Sequence, residues 1–230
     1  VASPERALHS AGYFQTGPRQ YGEGDVFLGV MMPATRAVVK RFVGLPLAEI
    51  DVLLDSDVHE HRMAAVLLLE AQFRQASKQG TDTEDARREL AEFYLAAVRR
   101  GRVNNWDLVD ASAPTLLGGY LLDRPRGVLF EMAASDVLWQ RRVAIIATAG
   151  FINAGDSSTT LEIARILLSD REGLIQKAVG WMLREVGKRV DRAVLVGFLD
   201  EHAARMGRTA LSYATEHLTP EERARFRALR

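Results

Sequence analysis

Apolar positions recur every three to four residues in nearly every segment of this chain, and strand-like alternation is scarce. The spacing predicts an all-α protein. Helices are expected over 4–12, 33–42, 46–55, 57–78, 83–100, 105–110, 114–122, 126–134, 137–153, 157–168, 172–188, 191–204, 207–217 and 219–228. The punctuation agrees. Pro4, Pro33, Pro46, Pro114 and Pro220 each fall near a first helical turn, where no backbone N–H is needed. Ser56, Thr83, Ser135, Asp156 and Ser169 stand at or beside expected N-caps. The stretch 13–31 holds Gly17, Pro18, Gly22, Gly24 and Gly29 and is expected to be a loop.

An internal repeat extends this reading. Leu53-Leu54-Asp55-Ser56-Asp57-Val58 recurs as Met132-Ala133-Ala134-Ser135-Asp136-Val137, and Leu167-Leu168-Ser169-Asp170 is a third copy. Each copy ends one helix and precedes a longer apolar one. Arg62 then aligns with Arg141 and, after a one-residue insertion, Lys177 aligns with Arg142. The unit is a helical hairpin of roughly 30–45 residues, as in HEAT-type solenoids. The expected organisation is a single HEAT-like domain over 1–230, with an N-terminal helix and loop at 1–31, repeats at 32–217 and a C-terminal helix at 218–230. Stacked hairpins of this kind present a concave face made of their second helices.

The segment 172–188 shows what such a face would carry. With Lys177 at zero, ideal geometry puts Trp181 at about 40°, Arg184 at about −20° and Lys188 at about 20°. Ile175, Ala178, Val179, Met182, Leu183 and Val186 fall between about 100° and about 240°. A tryptophan on a helix ordinarily packs in the core, but here aliphatic residues already occupy the core face. Trp181 stands among cations instead, either stacked on Arg184 or presented to a nucleic acid.

Composition narrows the chemistry. Apolar residues make up 47% and charged residues 26%, an ordinary globular balance, and cysteine is absent. That excludes disulfides, thiolate nucleophiles and cysteine-based metal sites. His59 and His61 do not share a helical face, which argues against zinc. No apolar run reaches the roughly 18 residues of a membrane span. The start, Val1 to Arg6, has no signal-peptide pattern and no methionine, which leaves room for residues before it. A bacterial-type cytoplasmic protein is the default expectation. Thirty basic and thirty acidic residues cancel. Any polyanion must therefore meet locally concentrated positive charge.

The candidate chemistry lies in Asn104-Asn105-Trp106-Asp107-Leu108-Val109-Asp110. Trp106 and Asp110 are four apart, which places both on one helical face. A carboxylate beside aromatic surfaces, with cations available, suits a cationic substrate carried on a polyanion. Two plainer readings stand beside this one. Asp110 precedes Ala111-Ser112-Ala113-Pro114 and reads as the cap of a following helix. Asp107 and Asp110 also resemble a glycosidase carboxylate pair, although sequence does not set their separation. For Arg141 and Arg142, phosphate contact competes with solvent exposure or pairing to a nearby acid.

Four blocks now carry a family resemblance. They are Tyr21-Gly22-Glu23-Gly24-Asp25-Val26-Phe27-Leu28-Gly29-Val30, Asn105 to Asp110, Leu138-Trp139-Gln140-Arg141-Arg142, and Gln176 to Glu185. In this order the chain resembles the AlkD-type DNA alkylation-repair glycosylases, which are built from HEAT-like repeats. The resemblance implies excision of cationic alkylpurines such as N3-methyladenine and N7-methylguanine from double-stranded DNA. A monomer that needs no metal or cofactor is the expectation beside it. It implies that Asp110 is the catalytic carboxylate and that Trp106 and Trp181 flank the sugar of the damaged nucleotide. Arg142 corresponds to a phosphate-binding residue near the lesion, and Arg184 and Lys188 to further backbone-binding positions beside Lys177. Tyr21 corresponds to an aromatic near the lesion and Arg36 to an N-terminal phosphate contact. Two alternatives remain open: a catalytically silent relative that binds distorted or branched DNA, and a HEAT-like protein-interaction scaffold.

Overall fold

The structure, a computed structural model, describes residues 2–78 and 84–229. It is all-α, with helices packed on their neighbours in repeated pairs. Among the described residues the one β-type contact is an isolated bridge between Val26 and Val58. Two compact units divide the chain, Val1–Leu116 and Leu117–Arg230. The first contains α1 (Pro4–Tyr13), α2 (Met32–Arg41), α3 (Leu47–Leu54), α4 (His59–Ala76), α5 (Glu84–Arg99) and α6 (Trp106–Ala113). The second contains α7 (Gly127–Ala133), α8 (Leu138–Ala147), α9 (Ala149–Asn153), α10 (Ser158–Ile166) and α11 (Gly173–Arg189). It continues through α12 (Arg192–His202), α13 (Arg208–Ala214) and α14 (Pro220–Ala228).

The expected helices are present, with three differences. The segment 137–153 is two helices, broken at Thr148. Its buried hydroxyl donates to the Ile145 carbonyl at 2.7 Å, a local bond that competes with the helical ladder. The segment 114–122 is not an α-helix; a π-helical turn over Pro114–Gly118 runs on from α6. Pro114 has no N–H for the Asp110 carbonyl, so the α-helical ladder stops there. As a result Asp110 lies inside α6, which continues to Ala113, and it is not the cap of a new helix. Thr83, expected as an N-cap, lies outside the described residues.

The internal repeat is physical. Ser56 Oγ accepts from the Val58 N–H at 3.1 Å, Ser135 Oγ from Val137 at 3.1 Å, and Asp170 Oδ1 from Glu172 at 2.8 Å. Six residues beyond each turn residue, a side chain donates back to its carbonyl. Arg62 reaches Ser56 at 2.8 Å, Arg141 reaches Ser135 at 2.9 Å, and Gln176 reaches Asp170 at 3.1 Å. The same turn is thus locked three times, at the starts of α4, α8 and α11. It satisfies backbone groups that the helix termini would otherwise leave open. The register this imposes aligns Arg142 with Lys177, as the sequence repeat required.

Pairing follows from the repeat: α3 packs on α4, α7 on α8 and α10 on α11. The apolar face read for α11 is buried throughout, from Ile175 to Val186. Burial of each such large side chain contributes about 1.5–3 kcal/mol. Gly180 lets α11 and α13 approach closely, because a Cβ there would lie 2.4 Å from the Ala210 carbonyl.

Candidate active site and nucleic-acid interface

Helix α6 is prepared by its N-cap. Asn105 is fully buried, and its side-chain oxygen accepts from the Trp106 N–H at 2.9 Å. Trp106 and Asp110 then emerge half-buried on one face. Phe14 stacks on the Trp106 ring at 5.3 Å, and Tyr13 meets its edge at 6.0 Å. These two aromatics come from the end of α1 and fix the ring's position. On the inner side, fully buried Tyr94 hydrogen bonds to Ser112 at 2.8 Å. Burial pushes the Tyr94 phenol up against the opposing Ser112 bond, and the nearby charge of Asp110 adds to the rise. Tyr94 therefore stays a neutral phenol next to Asp110.

Beneath the Trp106 end of α6 lies a cluster of buried charges that the sequence did not single out. His59 begins α4. Its Nδ1 bonds Asp25 at 3.1 Å and its Nε2 bonds Asp107 at 2.8 Å. Arg62 donates to Asp25 at 2.5 Å, and Asn105 donates to it at 3.2 Å. Burial opposes a charge on His59, but the hydrogen bonds to Asp107 and Asp25 and their negative charges win. Its pKa rises from 6.5 to about 9, so the ring is an imidazolium at neutral pH. Burial likewise opposes the Asp25 charge, yet His59, Arg62 and Asn105 hold its carboxyl below the usual range. Both acids bracket the ring from opposite nitrogens. Among the described residues, no three His, Asp or Glu side chains converge as metal ligands do.

This cluster ties the N-terminal loop to α6. Phe27 stacks on His59 at 4.7 Å and on Phe14 at 5.1 Å, so the rings continue to Trp106. Glu60 accepts from the N–H groups of Leu28, Gly29 and Val30 at 2.8–3.2 Å. Of the site residues expected in this unit, Tyr21 is half-buried with its hydroxyl 3.4 Å from the Tyr13 carbonyl. Arg36 is exposed on α2, with no ion-pair partner among the described residues.

The second unit holds the remaining expected residues. On α11, Lys177 and Lys188 are exposed and Trp181 and Arg184 half-buried, opposite the apolar face. The two lysines make no ion pair among the described residues. Arg184 does: it bonds Glu216 on the turn after α13 and Glu185 at 3.1 Å. Glu185 is buried. Arg189, bonding it at 2.7 Å, and Arg184 keep its carboxyl low despite that burial. Arg142 is also buried, 5% exposed, and donates to the Leu174 carbonyl at 2.7 Å. Its neighbour Arg141 pairs with Asp170 at 2.7 Å. Of the two arginines, the one aligned with Lys177 is thus held against the start of α11 and the other is neutralised.

The side chains around α6 that were not picked out in the sequence are Phe14, Asp25, Phe27, His59 and Tyr94. Asp25 and Phe27 lay inside a recognised block, but the His59 pairings to Asp25 and Asp107 span 34 and 48 residues. No local spacing signals such contacts.

Among the described residues, no helix is long and apolar enough to cross a membrane. No curated protein matches the chain in sequence. A solved structure described as a predicted DNA alkylation repair enzyme from Enterococcus faecalis is similar in fold, with a TM-score of 0.70. It is 18% identical, and the match covers 95% of this chain and 97% of that one. The family model for DNA alkylation repair enzymes matches residues 1–218, and the chain belongs to that family.

Proposed function

We propose that this protein is a monofunctional DNA glycosylase that releases cationic alkylpurines, N3-methyladenine and N7-methylguanine among them, from duplex DNA. The observation that carries this reading is Asp110, half-buried one turn after the buttressed Trp106 and close enough to Tyr94 to influence its ionisation. Alkylation at N3 or N7 places positive charge on the purine. The glycosidic bond breaks with its electron pair going to the purine, which leaves neutral, and the deoxyribose becomes an oxocarbenium ion. Asp110 stabilises that cation, and accepts the proton of the water that adds to the anomeric carbon. Trp106, one turn before Asp110 on the same helix, offers its aromatic face to that charge, and Trp181 is the aromatic of the α11 stripe. The base leaves already activated, so no strong general acid is required.

The α11 stripe and Arg142 bind the DNA backbone, with Tyr21 and Arg36 as further contacts. The base enters no dedicated pocket, so bulkier N7 adducts are tolerated and neutral lesions are poor substrates. The protein works as a monomer and without a cofactor. The test is chromatography of bases released from methylated duplex DNA by wild type and Asp110→Asn. Loss of release with retained DNA binding is the expected result; full activity in the variant removes Asp110 from the mechanism. A second reading, a silent relative that binds distorted DNA, draws on the pairing of Arg184 with Glu216 and Glu185, which leaves the stripe less charge for a lesion. Wild-type protein that binds DNA but releases no base decides for it.

A further inference from the structure

Several arginines in the second unit have an acid. Arg184, Arg189, Arg192 and Arg225 pair with Glu216, Glu185, Glu222 and Asp200. Arg208 and Arg227 are placed differently. Both are exposed, neither has an ion-pair partner among the described residues, and both line one cleft of about 710 Å³ with Ala204, Leu211 and Ser212. Leu211 gives the cleft an apolar floor, and Ser212 adds a neutral donor. Two guanidinium groups facing one cleft repel each other, and a bound anion relieves that repulsion. Their planar forks match phosphate oxygens in particular. Phe226 is buried and anchors α14, which holds Arg227 at the cleft.

The cleft also adjoins the stripe of α11. Gly207 approaches Gln176 so closely that a Cβ on it would lie 2.2 Å from the Gln176 amide oxygen. Lys177 and Arg208 are the next residues along the chain from that contact, and both are exposed. Exposed cationic positions thus stand beside this contact on both α11 and α13. At the far end Glu216 closes on Arg184.

We propose that the cleft lined by Arg208, Ser212 and Arg227 is a second phosphate site for the DNA backbone, continuing the path begun at Lys177. The assignment rests on the DNA-binding reading above. It places a backbone contact on the last helices of the chain, which none of the recognised motifs reach.

The experiment is a titration of the full chain against a fluorescein-labelled undamaged duplex, at several salt concentrations between about 50 and about 200 mM. Wild type is compared with Arg208→Gln/Arg227→Gln, with Lys177→Gln, and with a charge-matched Arg88→Gln/Arg99→Gln control on α5. One phosphate contact contributes about 0.9 to the slope of log affinity against log salt, or about eightfold in affinity at 0.1 M salt. The cleft variant is expected to lose about that slope and that affinity, while the control stays near wild type. Both substituted cleft residues are exposed and have no ion-pair partner among the described residues, so the thermal midpoint should not move. A wild-type slope in the cleft variant, with a reduced slope in Lys177→Gln, overturns the cleft assignment and leaves DNA binding standing. Equal weakening by the control overturns it too, because only net charge then matters. A wild type whose duplex affinity is absent or independent of salt overturns both readings.

Discussion

The α6 region and the α11 stripe carry charge in opposite ways. Beneath α6, the charges of Asp25, His59, Arg62 and Asp107 are nearly withdrawn from water and satisfy one another. On α11, Lys177 and Lys188 project into solvent with no partner among the described residues. Charges spent on each other do not attract a ligand; they fix neighbouring groups, here Trp106 and the first turn of α6. Charges left in solvent fix nothing but are free to exchange counterions for phosphates. The difference assigns geometry to the first region and attraction to the second.

Replacing His59 should test that division most severely. His59→Leu leaves Asp25 and Asp107 without their shared cation and should destabilise the protein by about 4 kcal/mol. Urea unfolding measures this; a loss within experimental error would mean the cluster fixes nothing. Asp110→Asn is the counterpart on the half-buried face of α6. Base release should fall by roughly 10²–10³-fold, the scale of removing one electrostatic stabiliser, with unfolding little changed. A large loss of stability there would make Asp110 structural and erase the contrast.

The third prediction concerns pH. The folded His59 value, about 9, lies above its ordinary 6.5. Its stabilisation is therefore fully present below about pH 6.5 and is lost as pH rises through about 9. The total is about 3 kcal/mol from the linkage relation. Asp25 works on the acid side: its stabilisation is present above its ordinary 3.8 and disappears as pH falls through its lowered folded value. Denaturation midpoints across alkaline pH should decline in wild type and stay flatter in His59→Leu. Parallel profiles would assign the alkaline loss to other groups.

Smaller effects belong to α11. Trp181→Ala should reduce base release by about fivefold, the value of about 1 kcal/mol of cation–π stabilisation. Unfolding should shift little, since the core face of α11 is intact without it. Lys188→Gln should do least: a salt slope reduced by about 1 and stability within about 0.5 kcal/mol. A stability change from Lys188→Gln as large as that from His59→Leu would dissolve the comparison altogether.

Much of this was legible along the chain, for a physical reason that differs by element. The faces of α11 follow from a period of 3.6 residues, and every aliphatic position read as inward is buried. The repeat was visible because one turn geometry demands a side-chain acceptor at its corner and a donor six residues on. The cap alternative for Asp110 fails because Pro114, which ordinarily starts a helix, is here passed through as a π-helical turn. That Arg184 also pairs with Glu216 was not legible, because that acid lies 32 residues away.

By itself, the sequence determined the helices, their inward faces, the recurring turn and the placement of Trp106 and Asp110 on one face, since each depends on residues within a turn or two. Tertiary structure alone decided the state of the charges. Whether His59 is an imidazolium, whether Arg184 is neutralised and whether Arg208 shares a cleft with Arg227 depend on burial and on partners brought from distant segments. The energy of a charge is set by that surrounding medium, which no local pattern records.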